Sequence, residues 1–197
     1  MGNPVLFGTL AIFALIYFYG IYFVKMAAQR KKGITTNQIG RRKEKGLHRV
    51  ELFMSAATGL IVPIQLLSIV CNGNSMPQIG RIIGFILALV GDTVFLISVL
   101  CMRNSWRTGI PESDKTEMVT GGIYSVSRNP AFLGFDLMYI GIFLMYCNLL
   151  TGIFTAFAIL MLHLQILQEE KFLKVTFGAD YTDYQSRVNR YLGRKNK

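Results

Sequence analysis

The 197-residue sequence predicts an all-α polytopic membrane protein: five transmembrane helices, a C-terminal helical hairpin and a cytoplasmic interfacial helix. Two observations carry this. Apolar residues make up 52% of the chain and charged residues 16%, and the charges are clustered, leaving long stretches with almost none, as hydrocarbon requires. The net charge of +10 is distributed in the same rhythm: nine basic residues lie between Lys25 and Arg49, four between Arg103 and Arg128, and seven from Lys171 onward. Basic clusters alternating with apolar runs follow the positive-inside rule, which places the N-terminus outside and the basic loops and C-terminal tail in the cytoplasm. There they meet the anionic leaflet, worth roughly 1 kcal/mol per basic residue. That distribution accounts for the charge without nucleic acid. The polar segments are too short for a second folded domain, so residues 1–197 read as one membrane domain.

The first span covers about Pro4 to Val24, with Tyr17, Phe18, Tyr19, Tyr22 and Phe23 crowded at its cytoplasmic end, where amphipathic rings are favoured. Lys25 to Lys32 follow as a stop-transfer cluster and no basic segment precedes it, so the span reads as a retained helix rather than a cleaved signal. The second span runs from about Val50 to Val70, and Pro63 inside it predicts a kink. An uncharged, turn-rich outer loop, Cys71 to Gly80, leads to the third span, about Arg81 to Met102. A polar segment with Trp106 and Pro111 ends in Gly121-Gly122. Asn129-Pro130 reads as a helix start, Asn accepting an orphan backbone N–H at the N-cap and Pro at the first helical position. The fourth span then covers about 130–146 and the fifth about 149–167, joined by a tight hairpin at Cys147-Asn148. The last helix continues through Gln168-Glu169-Glu170-Lys171 and stops at Gly178. Beyond it Tyr181, Tyr184, Val188 and Tyr191, opposite Arg187 and Arg190, predict a short amphipathic helix. The cysteines, Cys71, Cys101 and Cys147, are odd in number and lack metal-ligand spacing; they read as unpaired apolar residues, although Cys71 and Cys147 share the outer face.

Two polar regions gather at the inner face: Gly121 to Phe132, and Glu169-Glu170. Glycines let backbone approach a ligand, and the start of the fourth helix offers free N–H groups to an anion. Arg128 adds a planar cation for a carboxylate or phosphate. The acidic pair supplies acceptors for an ammonium or for hydroxyls. Together they suit a zwitterionic ligand. Taken singly, each has a plainer reading: a flexible approach, a cap, a positive-inside anchor, a solvated acidic face.

Order and spacing go further. Gly-Ile-Tyr-Ser-Val-Ser-Arg-Asn-Pro-Ala-Phe-Leu-Gly (122–134), followed by Glu-Glu-Lys-Phe-Leu-Lys-Val-Thr-Phe-Gly-Ala-Asp-Tyr (169–181), resembles the C-terminal signature of the integral membrane methyltransferases. This is the isoprenylcysteine carboxyl methyltransferase and phospholipid methyltransferase superfamily, whose usual form is Gly-x-Tyr-x-x-x-Arg-His-Pro-x-Tyr-x-Gly, then Glu-Glu-x-x-Leu-x-x-x-Phe-Gly-x-x-Tyr. The resemblance covers about Glu117 to Arg190 and implies S-adenosyl-L-methionine as cofactor, bound by the C-terminal half from about residue 103. By position it implies that Val119, Gly122, Tyr124, Asn129, Pro130 and Phe132 line the cofactor pocket, that Glu169 and Glu170 bind at it with Glu170 closing it, and that Arg128 is the family arginine. Arg128 and Glu170 are the expected catalytic pair, holding polar ends of cofactor or substrate. Three positions depart from the pattern. Asn129 replaces the family histidine, keeping hydrogen bonding but not proton transfer. Phe132 replaces a tyrosine, and Gln165 stands where carboxyl methyltransferases carry an arginine that orients the substrate carboxylate. An amine, thiol, phenol or other lipid-soluble acid remains open as acceptor.

Asp92 in the third span and Asp136 in the fourth are intramembrane acids, costing at least ~2.5–3.5 kcal/mol if charged, and so read equally as substrate-cavity groups or as hydrogen-bonded packing. Asp136, on the motif helix, is the better cavity candidate, with Gln165 and Asp92 as further ones; His163 reads as a packed, hydrogen-bonded group. Trp106 reads as a cover for the cofactor or as an interfacial anchor. The expected function is methyl transfer from S-adenosyl-L-methionine to a small lipophilic acceptor entering from the bilayer, with membrane lipids as the surroundings, no metal and a bacterial inner membrane as the setting. An NADPH-dependent membrane reductase of the sterol-reductase type and a non-enzymatic scaffold are the alternatives.

Overall fold

A computed structural model describes residues 3–40, 45–110 and 117–195. Among them the chain is helix and loop, with two isolated β-bridges, Asn37 to Thr108 and Val188 to Arg194. The helices are α1 (Pro4–Lys31), α2 (Lys45–Val70), α3 (Gln78–Met102), α4 (Pro130–Met145) and α5 (Leu149–Arg187), with 3-10 turns at Arg103–Ser105 and Gly122–Ser125. Pro111 and the basic run 41–44 lie outside the described residues. Helices α1, α2, α3 and α5 are long and apolar enough to cross a membrane, and α4 is a shorter apolar helix of 16 residues. At 1.5 Å per residue α4 extends roughly 24 Å, short of the ~30 Å hydrocarbon thickness. The protein is an all-α polytopic membrane protein.

The helix ends follow local chemistry. The Asn3 side chain accepts the N–H groups of Val5 and Leu6, and Pro4 takes the first helical position. Asn148 forms a capping box with Thr151, which fixes the α4–α5 hairpin. Helix α1 continues past Val24 to Lys31, so the first basic cluster begins on helix rather than loop. Helix α2 continues on both sides of Pro63.

Three expectations are corrected. Asn129 does sit at the N-cap of α4, but its side chain makes no cap hydrogen bond; its amide is turned to Glu170 and the Arg190 carbonyl instead. Gly178 does not end α5. It takes a left-handed conformation (φ 54°) that kinks the helix, which resumes and runs to Arg187. Tyr181, Tyr184 and Val188 pack with Met118, Leu173 and Phe177. Tyr191 has left the helix, and its hydroxyl reaches His163 Nδ1 at 2.6 Å. All three cysteines are free thiols.

The packing order is α1 on α3, α3 on α4, α4 on α5 and α5 on α2, while α1 and α2 meet only marginally. The tightest pair is α3–α4, where Gly84 and Gly91 face Gly141 and Gly134 so closely that backbone touches backbone. Without a hydrophobic drive between helices in lipid, such small-residue contact gives the van der Waals gain that holds them. Phe18, Phe95 and Phe135 interlock across α1, α3 and α4 with ring centroids 4.6–5.1 Å apart.

Candidate active site

A cavity of about 440 Å³ opens at the end of the bundle that carries the α3–α4 connection and the loop after α1. Its membrane-side wall is aromatic and apolar: Tyr19 and Tyr22 of α1, Met54 of α2, Phe95 of α3, Phe135 and Tyr139 of α4, Leu162 of α5. Tyr19 and Tyr139 join hydroxyls at 3.2 Å. The opposite wall is polar, with Asn37, Arg107, Thr108, Glu117, Arg128, Asn129 and Glu169, interleaved with Trp106, Val119, Tyr124, Phe132, Phe172 and Phe177. Trp106 is buried in this wall, its indole edge-on to Tyr22 at 5.4 Å.

Of the residues singled out from sequence, Val119, Tyr124, Arg128, Asn129, Phe132 and Glu169 line the cavity together. Gly122, Pro130, Gln165, Glu170, Asp92 and Asp136 are not among its lining residues. Gly122 starts the 3-10 turn that presents Tyr124 and lies against Cys101 Sγ, and Pro130 starts α4 behind Asn129. Asp92 is fully buried with neither carboxylate oxygen hydrogen-bonded among the described residues, and Asp136 is buried with its Oδ1 unpartnered among them.

Glu170 stands one position round the helix from Glu169, at the centre of a buried charge cluster. Arg128 Nη2 donates to its Oε1 at 2.7 Å, Arg190 Nη2 to its Oε2 at 2.9 Å, and Asn129 Nδ2 to its Oε1 at 3.2 Å. The Arg128 and Glu170 side chains are 4% and 7% exposed. Burial alone raises the Glu170 carboxyl; the hydrogen bonds and charges of Arg190 and Arg128 outweigh it and hold the group below its usual value. The segment after α5 straps this cluster in place: Arg128 Nη1 donates to the Val188 carbonyl at 2.6 Å, the Arg128 N–H to the Asn189 carbonyl and the Gly193 N–H to the Val126 carbonyl. Arg190, read from the sequence on the basic face of an amphipathic helix, is therefore an inward partner of Glu170; Arg187 does face solvent, paired with Asp183.

Glu169 lies beyond the apolar stretch of α5, in the cavity wall. Burial pushes its carboxyl up to about 7; the hydrogen bond from Gln165 Nε2 works against that and the charge of Glu51 with it. A carboxyl raised on folding stabilises the fold fully below its unfolded value, near 4.5, and that contribution is lost as pH rises through about 7. Glu169→Gln therefore gains melting temperature over the wild type, and the gap widens between pH 5 and pH 8. Thermal melts in detergent across that range check this; a gap independent of pH would mean that Glu169 ionises as it does in water.

Fold and site together define a polytopic membrane protein whose cavity joins an aromatic wall on the apolar helices to a polar wall on the loops and helix ends. Residues 79–180 match the family described as phospholipid methyltransferase, more than half of the chain, and the protein belongs to that family: it is an integral membrane methyltransferase. It is 24% identical over 184 residues to a probable protein-S-isoprenylcysteine O-methyltransferase of Oryza sativa subsp. indica, covering 89% of this chain and 90% of the relative. Over 110 residues it is 28% identical to protein-S-isoprenylcysteine O-methyltransferase B of Arabidopsis thaliana, 53% of this chain and 55% of the relative. Over 78 residues it is 32% identical to the Mus musculus protein-S-isoprenylcysteine O-methyltransferase, 39% of this chain and 28% of the relative. The matched family segment contains both halves of the signature read from the sequence up to Asp180.

Proposed function

We propose that the protein transfers the methyl group of S-adenosyl-L-methionine to a small lipophilic acceptor that enters from the bilayer. The observation that carries this reading is a cavity lined at one end by polar residues of the loops and helix ends and at the other by aromatic residues of the apolar helices. The donor set fits the cofactor. Glu169 and Asn37 suit its ammonium and ribose hydroxyls, Arg128, whose Nε has no partner among the described residues, its carboxylate, and Trp106, Tyr124 and Phe132 its adenine. When bound, the cofactor supplies an electrophilic methyl on a sulfonium. The chain's task is then to align an acceptor with it and exclude water, and alignment alone supplies roughly 7–11 kcal/mol. Glu170 serves by holding Arg128 in the wall. The weak α1–α2 contact, beside cavity residues Tyr19, Phe23 and Ser55, is the entry for an apolar acceptor.

Gln165 is fully buried and hydrogen-bonded to Glu169. With no arginine there, the site favours an uncharged nucleophile, an amine, thiol or phenol, whose proton a Glu169 carboxylate oxygen takes. The basic clusters at the cavity end favour a cytoplasmic site with the N-terminus outside, in a chain that acts as one membrane domain.

Calorimetric titration of the detergent-purified protein with S-adenosylhomocysteine, with NADPH as control, tests the cofactor. Micromolar S-adenosylhomocysteine binding, weakened at least about tenfold by Glu169→Gln, supports the reading. No binding by a protein with a cooperative melt overturns it, and binding of NADPH instead moves the function to reduction.

A further inference from the structure

The cavity has a wall that the family segment does not contain. Loop residues Asn37 and Ile39 line it from the N-terminal half, next to Trp106, Arg107 and Thr108 after α3. These loops are not helical, so something other than a helix must hold them. They pair with each other: the Gln38 N–H donates to the Thr108 carbonyl at 2.8 Å and the Thr108 N–H to the Thr36 carbonyl at 3.0 Å. Gln29, 1% exposed on α1, donates to the Trp106 carbonyl and accepts from the Thr36 hydroxyl at 2.6 Å.

The remaining tie is a carboxylate. Glu51, in the second turn of α2, is completely buried. One oxygen accepts the Gly40 N–H at 2.8 Å and the other the Ile110 N–H at 3.2 Å, so a single side chain grips both loops immediately behind the residues that line the cavity. Hydrogen bonds to an ionised acceptor are roughly twice as strong as neutral ones. The loops can close on each other only because Gly109 has no Cβ: at φ +82° an added Cβ would stand 2.9 Å from the Ile39 backbone nitrogen. Glu51 itself does not line the cavity, and it lies outside residues 79–180.

We infer that Glu51 is a positioning residue: it clamps the two cytoplasmic loops into the wall of the cofactor site, so that binding needs the N-terminal half as well as the signature helices. The cofactor part of this rests on the methyltransferase reading above; the clamp itself does not. A ligand-free reporter separates the two, because Trp106 is the sole tryptophan in the chain and is 4% exposed.

The test compares wild type, Glu51→Ala, Glu51→Gln and Gly109→Ala in detergent. Two readouts are taken: acrylamide quenching of Trp106 fluorescence without ligand, and calorimetric affinity for S-adenosylhomocysteine. Glu51→Ala should raise the quenching constant several-fold and weaken S-adenosylhomocysteine about tenfold or more, with Glu51→Gln intermediate, since its amide keeps one acceptor. Gly109→Ala should resemble Glu51→Ala, and it carries the test, with Glu51→Gln, if Glu51→Ala does not fold. Unchanged quenching in the folded variants overturns the clamp. Exposed Trp106 with unchanged affinity overturns the loops' part in binding. A wild type that binds no S-adenosylhomocysteine, with Trp106 exposed in the variants, defeats the cofactor reading and leaves the clamp standing.

Discussion

Leucine in place of Gly141 yields no monodisperse protein, and even Gly141→Ala lowers the melting temperature sharply. A Cβ at Gly141 would lie 2.5 Å from the Ala88 nitrogen and 2.6 Å from the Gly84 carbonyl oxygen. Its neighbours are backbone, so no rotamer change relieves the clash; α3 and α4 must separate. The pair is seamed at two levels two turns apart, since a Cβ at Gly91 would meet the Met138 nitrogen at 2.6 Å and the Gly134 oxygen at 2.7 Å. Opening one level therefore strains the other. Ordinary overpacking of a side-chain core costs about 1–3 kcal/mol, and a backbone collision exceeds that against a total stability of roughly 5–15 kcal/mol. The separation also pulls Phe95 from Phe135 in the cavity wall. Size-exclusion profiles and melts in detergent, with Gly20→Ala as the control because nothing lies within 4 Å of its added Cβ, check the result. A Gly141→Ala protein that melts with the wild type would show that the two helices are not locked at that distance.

What was legible in the sequence divides along the same physical line. Apolar runs are local signals, so the helices can be read without knowing any contact. The signature halves are local too, and they place Tyr124, Arg128, Asn129, Phe132 and Glu169 around one cavity. Rotation about a helix is different. Glu169 and Glu170 are adjacent, about 100° apart on α5, and which of them faces the cavity depends on how α5 sits against α2 and α4. The same holds for partners far along the chain. Glu51 reaches Ile110, 59 residues on, and Arg190 returns to Glu170 across the kink at Gly178. In the sequence each is only a charge. Asn129 illustrates the competition directly: next to Pro130 its side chain suits a cap, but Glu170 is a charged acceptor, and the amide turns to it.

The charge cluster yields the second large effect, with an order among variants that tests its logic. Glu170→Ala destabilises most, because it takes from the Arg128 guanidinium, 4% exposed, its charged partner and leaves the neutral Val188 carbonyl as acceptor. Removing one partner of a buried ion pair costs about 3–5 kcal/mol. Arg128→Ala costs less than Glu170→Ala, because Arg190 and Asn129 still satisfy the carboxylate. Arg190→Ala costs least, since its side chain is 35% exposed and solvent replaces part of the pairing. Arg128→Ala with Glu170→Ala together should lose less than the sum of the two, as expected when partners are removed as a pair. Glu170 also sets the acid limb of stability: its carboxyl is held low, so its contribution is present above the ordinary carboxylate value and lost as pH falls below it, the reverse of Glu169. Denaturation curves in mixed micelles at pH 7 and pH 4, together with methyl transfer measured well below each melting point, separate the roles. If Glu170→Gln keeps both stability and methyl transfer, the cluster neither holds the strap nor orients Arg128. If transfer falls while stability holds, Arg128 acts on the ligand and Glu170 acts through it, the division of labour that the cavity wall implies.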